Sequence, residues 1–494
     1  MRLGFVIDQT RCIGCHACTI ACKSENSVPV GSFRTWVKHI EKGSFPDTRR
    51  FFSVLRCNQC DDAPCVEICP TVALFRRPDG IVDFDNQACI GCKSCMQACP
   101  YDALYIDPLS NTAAKCHFCA HRTDKGLQPA CAVVCPTQAI LPGDFDDPTS
   151  LVSRTIATRQ VSVRKPEQGT KPKVFYIGAD AASLNPSIER ARGEYLFVNR
   201  PEDHATGGES APIREVYDVD HATPWGWRVW SYLWTKSIAS GAVLVAAILW
   251  LLSVRDHALF GIAAPALGLV FISITSLLLI LDLKRPERFY YMFLRPNWKS
   301  WLVLGGLVLT AFGAYATLWL ALGVFGRGPG WLAWPAVPLA ALAAGYTAFL
   351  FWQCEGRDFW QSPILLPDLV GQAVLAGAAS LLSLSWGADE ATRRALLWAL
   401  AAGVVVHFIC AASELESKRG NMDLRRASAW MLSKRATWRD AFGLGIVLPL
   451  ALFALSFATG ASYLIALPAA VAALFGLFQF ERLWIQAGQS VPLS

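Results

Sequence analysis

The apolar and polar positions of this chain divide it near its middle. From about Trp230 onward Leu, Ala, Val, Gly and Trp dominate, and charges are confined to short patches. Eight apolar stretches there reach the roughly 20 residues that a helix needs to cross a bilayer. They run over 230–253, 259–281, 300–322, 331–353, 364–386, 395–415, 441–459 and 462–480. A soluble apolar helical core does not account for eight such lengths. Pro449 and Pro468 fall inside the last two, where neighbouring helices can satisfy the carbonyls that a proline frees. Trp225, Trp227, Trp298, Trp301, Trp331 and Trp334 stand near the ends, where interfacial belts form.

The first half has a different rhythm. Short β-forming runs at Ser32–Ile40, Arg50–Arg56 and Leu74–Phe84 predict strands and hairpins. After Pro136 the pattern is mixed, with PEQGTKPK and ATGGES as loop signals. The expected organisation is an α+β cofactor domain over 1–145, a tail and linker packed on it over 146–225, and an all-α transmembrane bundle over 226–494. A hydrophobic share of 53% with 17% charged residues agrees with a half-membrane chain. The opening MRLGFVIDQTRCIGCHAC shows no apolar h-region and no twin-arginine pair, so no export signal is expected. The net charge of +6 is small, and no basic stripe with interleaved aromatics supports nucleic-acid binding.

Cysteine spacing carries the chemistry. Cys12, Cys15, Cys18 and Cys22 are spaced C-x2-C-x2-C-x3-C, and Cys89, Cys92, Cys95 and Cys99 repeat that spacing. Cys57, Cys60, Cys65 and Cys69 have a longer middle gap, and Cys116, Cys119, Cys131 and Cys135 a longer one still. Pro70, Pro100 and Pro136 follow the final cysteine of three groups. This is the bacterial ferredoxin pattern, in which three close cysteines wrap one cubane and the fourth reaches a neighbour. Gly14 and Gly91 are expected to relieve crowding where the loops bend. Four groups predict four 4Fe–4S clusters. Zinc knuckles are separated cysteine pairs rather than triplets followed by Cys-Pro, and a disulfide framework needs an oxidising compartment. Cys354 and Cys410, in apolar surroundings, are expected to pack as small hydrophobes. His16, His117 and His121 beside the ligands are expected to tune or cover clusters.

Charge between the spans predicts orientation. The side reached by the ends of spans two, four, six and eight carries Lys284, Arg285, Arg288, Arg295, Lys299, Arg357, Lys418, Arg419, Arg425, Arg426, Lys434, Arg435, Arg439 and Arg482. The opposite side has only Arg255, Arg327, Arg393 and Arg394. The positive-inside rule then puts the cluster domain on the cytoplasmic side of an inner membrane. Only His407 lies inside an expected span, too few for bis-histidine haem, so no haem is expected. The remaining lipophilic two-electron carrier is quinone, menaquinone or ubiquinone. Its site is expected at the cytoplasmic ends, with Lys236, Asp282, Arg285, Glu355, Arg357, Asp358, Glu414 and Glu416 as candidates for binding it and moving its protons.

The four cysteine groups, with GDFDDPTS and GTKPKVFYIG behind them, resemble the iron–sulfur subunits of dimethyl-sulfoxide-reductase-type molybdoenzyme complexes over residues 1–190. That resemblance implies two intertwined ferredoxin units and a pairing of first group with fourth and second with third. The implied ligand sets are Cys12, Cys15, Cys18 and Cys135; Cys22, Cys116, Cys119 and Cys131; Cys57, Cys60, Cys65 and Cys99; and Cys69, Cys89, Cys92 and Cys95, the last nearest the membrane. Cys92 stands where some relatives lose a ligand, so four cubanes are expected. PWGWRVWSYLWTKSIASG, DLKRPERFYYMFLRPNWKSW and EGRDFWQSP make the membrane half similar to the polysulfide-reductase (NrfD-like) membrane subunits, which implies haem-free quinone chemistry. Two usually separate subunits are fused, so electrons need no docking step between them. The expected function is an electron-transfer and membrane-anchor chain of a complex whose separate molybdenum or tungsten pterin subunit holds the primary substrate site. Cytoplasmic placement favours a dehydrogenase direction, on formate or sulfite for example. The rival is quinol oxidation feeding a terminal reductase, and a further alternative is an ion-translocating coupling module.

Overall fold

The computed structural model describes residues 1–43, 45–185, 213–415 and 421–494. The ATGGES loop signal and Glu416, Lys418 and Arg419 lie outside them. The chain folds as two compact units, Met1–Pro224 with Pro492–Ser494, and Trp225–Val491. The expected membrane domain ran through residue 494. The last three residues instead belong to the first unit, where Lys38 Nζ donates to Ser494 O at 2.8 Å and Arg164 Nη2 to Leu493 O at 3.1 Å.

In the first unit, strand β1 (Leu3–Asp8) is buried along its whole length because it lies inside a sheet covered on both faces. With β2 (Thr35–Lys42), β3 (Arg49–Arg56), β4 (Leu74–Arg76), β5 (Val82–Phe84), β6 (Leu104–Asp107), β7 (Thr112–Lys115), β8 (Ile140–Asp144), β9 (Val161–Ser162), β10 (Val174–Ile177) and β11 (Ile213–Tyr217), it forms four small sheets among the described residues. The largest has the order β8-β1-β10-β9, with β1 parallel to β10 (Phe5 opposite Val174) and antiparallel to β8 (Leu3 opposite Asp144). A second, β11-β2-β3, pairs Thr35 with Arg56 and Ile213 with Lys42. The remaining two are the hairpins β4-β5 and β6-β7. Short helices carry the cysteines between these strands. Helix α1 (Ala17–Glu25), from the first cysteine group, packs on Ala130–Val133 from the fourth; Pro64–Glu67 from the second packs on Ser94–Ala98 from the third. The intertwined pairing of two ferredoxin units is therefore present in the packing.

A buried charge network fixes the end of this unit. Lys38 pairs with Asp218 at 2.6 Å and Glu215 at 3.0 Å, while Trp36 Nε1 donates to Asp218 at 3.1 Å. His221 Nδ1 meets Asp102 at 2.5 Å, and its Nε2 lies 3.6 Å from Asp218 and 3.1 Å from Ser494 Oγ. Burial disfavours the charged imidazole, but hydrogen bonds to Asp102 and Asp218 outweigh it and raise its pKa to about 9.

The second unit is all helical. Among the described residues, eight helices are long and apolar enough to cross a membrane: Trp227–Leu251, His257–Asp282, Trp301–Val324, Gly330–Trp352, Leu365–Ser383, Glu390–Leu415, Thr437–Thr459 and Tyr463–Ser490. The last runs ten residues past its expected end at 480, because the apolar face continues through Leu483, Trp484 and Ile485 after the charged pair Glu481-Arg482. The first and fifth spans are the most enclosed. Their backbones meet at Gly241 and Gly377, where a Cβ on Gly377 would stand 2.0 Å from the Gly241 carbonyl carbon. Small residues at such crossings let helices gain packing contacts without a hydrophobic driving force.

Two outcomes follow from this packing. Gly377→Val is expected to destabilise the helical unit by about 3 kcal/mol, read as a lower thermal midpoint of the detergent-solubilised chain; an unchanged midpoint contradicts the close crossing. His221 binds its proton more tightly folded than unfolded, so its stabilisation is complete below its ordinary value near 6.5 and fades as pH rises through about 9. Proteolysis of the 213–221 segment in the full chain is expected to accelerate across that window. His221→Gln should remove the pH dependence, and a profile identical in both proteins would refute the assignment.

Candidate functional site

The cysteine loops begin with local backbone chemistry. Gly14 and Gly91 both take positive φ, and a Cβ on Gly14 would strike the Phe52 ring at 2.4 Å. One residue past the second cysteine, His16 and Lys93 also adopt left-handed backbone, φ 59° and 65°, immediately ahead of the short helices. Alternating left-handed residues turn successive backbone N–H groups into one concavity suited to anions. Gly91 N and Ala113 N both donate to Cys89 Sγ at 3.4 Å, and Ala139 N to Cys135 Sγ at 3.2 Å.

The thiols fall into groups of four. One cavity of about 390 Å³ is lined by Cys69, Cys89, Cys92 and Cys95, a second of about 310 Å³ by Cys57, Cys60, Cys65 and Cys99, and a third of about 280 Å³ by Cys22, Cys116, Cys119 and Cys131. The remaining four, Cys12, Cys15, Cys18 and Cys135, also lie together: Cys12 interacts with Cys135 and Cys15, and Cys18 with Cys12. Cys15 is exposed. These groupings coincide with the ligand sets that the resemblance implies.

Two observations test whether cubanes fit. Each cavity holds one polar side chain with buried atoms lacking a hydrogen-bond partner: the Thr71 hydroxyl, the Asn58 amide, and Nε and Nη2 of Arg56. Such atoms are costly unless an acceptor or donor occupies the space before them. Finally, burial pushes the thiol pKa of Cys18 up to about 11, Cys92 to about 12, Cys99 to about 11 and Cys116 to about 12. Thiols so enclosed stay protonated until a metal displaces the proton. The residues fit 4Fe–4S clusters, which supply one-electron storage.

The neighbouring histidines divide. His117 lines the third cavity, and burial, followed by the Arg34 charge, lowers its pKa to about 3, so it stays neutral. His121 is half-exposed and pairs with Glu25 at 2.7 Å. His16 Nε2 faces His39 Nε2 at 3.0 Å.

In the helical unit the expected quinone residues separate. Lys236 is fully buried, bonded to Thr347 Oγ1 and Ala344 O, with the Tyr346 ring centroid 5.3 Å away. Glu414 is buried and accepts from Trp484 Nε1 at 3.3 Å. The others occupy the loops and helix ends. Asp282 ends the second span, Arg285 meets Glu287 at 3.3 Å, Glu355 is half-buried, Arg357 donates to Val491 O at 2.8 Å, and Asp358 accepts from Asn421.

Of the residues that join Lys236 and Glu414, sequence reasoning singled out His407 and missed Asp368 and Glu481. Asp368 Oδ1 meets His407 Nδ1 at 2.7 Å, its Oδ2 accepts from Gln372 at 2.8 Å, and both members of the pair are buried. Glu481 is buried with neither carboxylate oxygen partnered, and it interacts electrostatically with Lys236 and Asp368. Asp368 also acts on Glu414. Asp368 and Gln372, four apart inside the expected span 364–386, were the available signal; Glu481 fell one residue beyond an expected helix end. These side chains stand where the first and fifth spans begin and the fourth, sixth and eighth approach their ends. A row of buried ionisable groups can accept and pass protons, and such groups are too costly in a bilayer to be incidental.

Comparison with known proteins agrees with this division. Residues 48–145 match the 4Fe-4S dicluster domain family, and residues 216–492 match the family described as polysulphide reductase, NrfD. A tetrathionate reductase subunit of Salmonella typhimurium is 45% identical over 39% of this chain and 78% of its own length. A polysulfide reductase polypeptide of Wolinella succinogenes is 42% identical over 36% of this chain and 94% of its own. The arsenate respiratory reductase iron-sulfur subunit ArrB of a Shewanella species is 39% identical, over 36% and 96%. The chain is thus a multi-pass membrane electron-transfer protein that belongs to the NrfD polysulphide reductase family, with a 4Fe–4S dicluster domain of the reductase iron–sulfur subunits joined ahead of it in one polypeptide.

Proposed function

We propose that this chain oxidises membrane quinol and delivers the electrons through four 4Fe–4S clusters to a separate molybdenum or tungsten pterin subunit that reduces a sulfur or arsenic compound. The names of the relatives support the reductase direction. The dehydrogenase direction, put first on cytoplasmic placement alone, has no such support. Charge between the spans still favours the cytoplasmic side for the cluster unit. The ligand sets are those that line the cysteine cavities.

The observation that carries the quinol reading is the buried row Lys236, Glu481, Asp368, His407 and Glu414 inside an otherwise apolar bundle. Quinol oxidation releases a proton with each electron, and each proton needs an acceptor where water is excluded. The unpartnered oxygens of Glu481 and Glu414 are such acceptors, with Asp368 and His407 next to receive the proton. Menaquinol and ubiquinol both satisfy this chemistry. On the cluster unit, Cys15 is exposed, as are Ile13 and Ile20 near it in the chain and Val133 and Val134 beside the fourth cysteine group, apolar positions that a catalytic partner would cover. A second reading, in which the bundle also moves protons across the membrane, is favoured by the same row; turnover in liposomes with no change in lumenal pH would remove it.

Short-chain menaquinol or ubiquinol added to the oxidised, purified chain is expected to bleach its iron–sulfur absorbance. Asp368→Asn and Glu481→Gln should each slow this about 100-fold while dithionite still reduces both proteins. Bleaching by dithionite but by neither quinol sinks the proposal, and quinols that bleach both variants at the parental rate remove the row from it. Cys60→Ser should lower the iron content by about a quarter and leave the other clusters' electron paramagnetic resonance signals in place; unchanged iron contradicts the ligand set.

A further inference from the structure

Arg56 ends β3 one residue ahead of Cys57 and is wholly buried. Its Nη1 donates to Cys131 Sγ at 3.1 Å, and its guanidinium lies 4.4 Å from the Phe5 ring centroid. Nε and Nη2 have no hydrogen-bond partner. Two other buried cations of the unit are neutralised by carboxylates, Lys38 by Asp218 and Glu215 and Lys173 by Asp61, while Lys115 and Arg164 donate to backbone carbonyls. Around Arg56 the groups that act on its charge are the thiols of Cys131, Cys116 and Cys18. Cys131 and Cys116 line the third cavity, as Arg56 does; Cys18 belongs to the open group with Cys12, Cys15 and Cys135. The guanidinium therefore stands between two groups of thiols with donors still to spend.

An isolated cation in a protein interior requires an anion nearby, and a cluster held by four thiolates is one. Adding an electron makes that anion more negative. A fixed positive charge at hydrogen-bonding distance then favours the reduced form, strongly so where the dielectric is low. We infer that Arg56 sets the reduction potentials of the two clusters held by the first and fourth cysteine groups, raising both above the values they would have without it. This rests on the reading of the thiol groups as cluster sites. Its effect runs through the Cys131 sulfur and through charge, so Arg56 is a positioning residue rather than a ligand. The raised potentials make each of these two clusters a better electron acceptor than it would be without the guanidinium.

The test uses the full chain with Arg56→Gln and Arg56→Lys, iron analysis, and redox titration followed by electron paramagnetic resonance. With iron content unchanged, Arg56→Gln should shift the potentials of these two clusters negative by at least tenfold in the one-electron equilibrium, 59 mV. The cluster held by Cys69, Cys89, Cys92 and Cys95 should stay in place as an internal control. Arg56→Lys keeps the charge but loses the fork, so its shift should be smaller and of the same sign. Full iron in Arg56→Gln with all potentials at the parental values overturns the inference. Should Arg56→Gln fail to hold iron, Arg56→Lys decides. In protein made with isotope-labelled arginine nitrogen, the parental reduced cluster should show hyperfine coupling to arginine that Arg56→Lys lacks. Coupling and potentials both unaltered in Arg56→Lys overturn the inference. A parental chain without iron defeats the underlying cluster reading instead, and is told apart by the iron analysis.

Discussion

Ionising a thiol away from water is expensive, and the first unit encloses most of its cluster cysteines. The fold makes that arrangement tenable by bringing sulfurs from distant sequence groups around common cavities and surrounding them with donors. Backbone N–H groups point at Cys89 and Cys135, and the Thr19 and Ser94 hydroxyls sit against Cys18 and Cys92. The small sheets serve this enclosure. β1 lies between β8 and β10, and its Phe5 and Ile7 share one core with Cys18 and Cys131 of the first and fourth cysteine groups.

The same electrostatic problem recurs in the helical unit with a different solution. There the buried charges are side chains, and no large anion has to be matched. Lys236 is satisfied by a carbonyl and a hydroxyl, Asp368 by His407 and Gln372, and Glu481 by electrostatics alone. A buried carboxylate whose oxygens have no donor is costly as an anion and takes up a proton from a nearby source. On the proposed reading, electron storage and proton handling fall to separate parts of one polypeptide.

Much of this was legible because the signals were periodic or local. The apolar runs gave eight spans to within a few residues at most ends, and the cysteine spacing gave the groups of four. β2, β3 and the β4-β5 hairpin stood out from their β-formers. The parallel pairing of β1 with β10 did not, because it joins segments far apart in the sequence and leaves no local mark. The left-handed turns at His16 and Lys93 were hidden as well, since neither residue advertises positive φ as glycine does. The buried ionisable residues of the helical unit were half visible. Charge near span ends drew attention to Arg285 and Asp358, whose partners lie in the loops, while Asp368 and Glu481 read as isolated polar positions until the helices were folded together.

Cys15 alone among the cluster cysteines lies open to solvent. A sulfur in that position is the one that peroxide or dissolved oxygen reaches first, and its oxidation to sulfenic acid would uncouple one corner of its cluster. Ile13, two residues away in the chain, is exposed as well, an apolar position that the proposed partner would cover. Association with that partner would then do more than complete a wire. It would seal the most perishable joint, so that polypeptides left without a partner in air should age from this end inward.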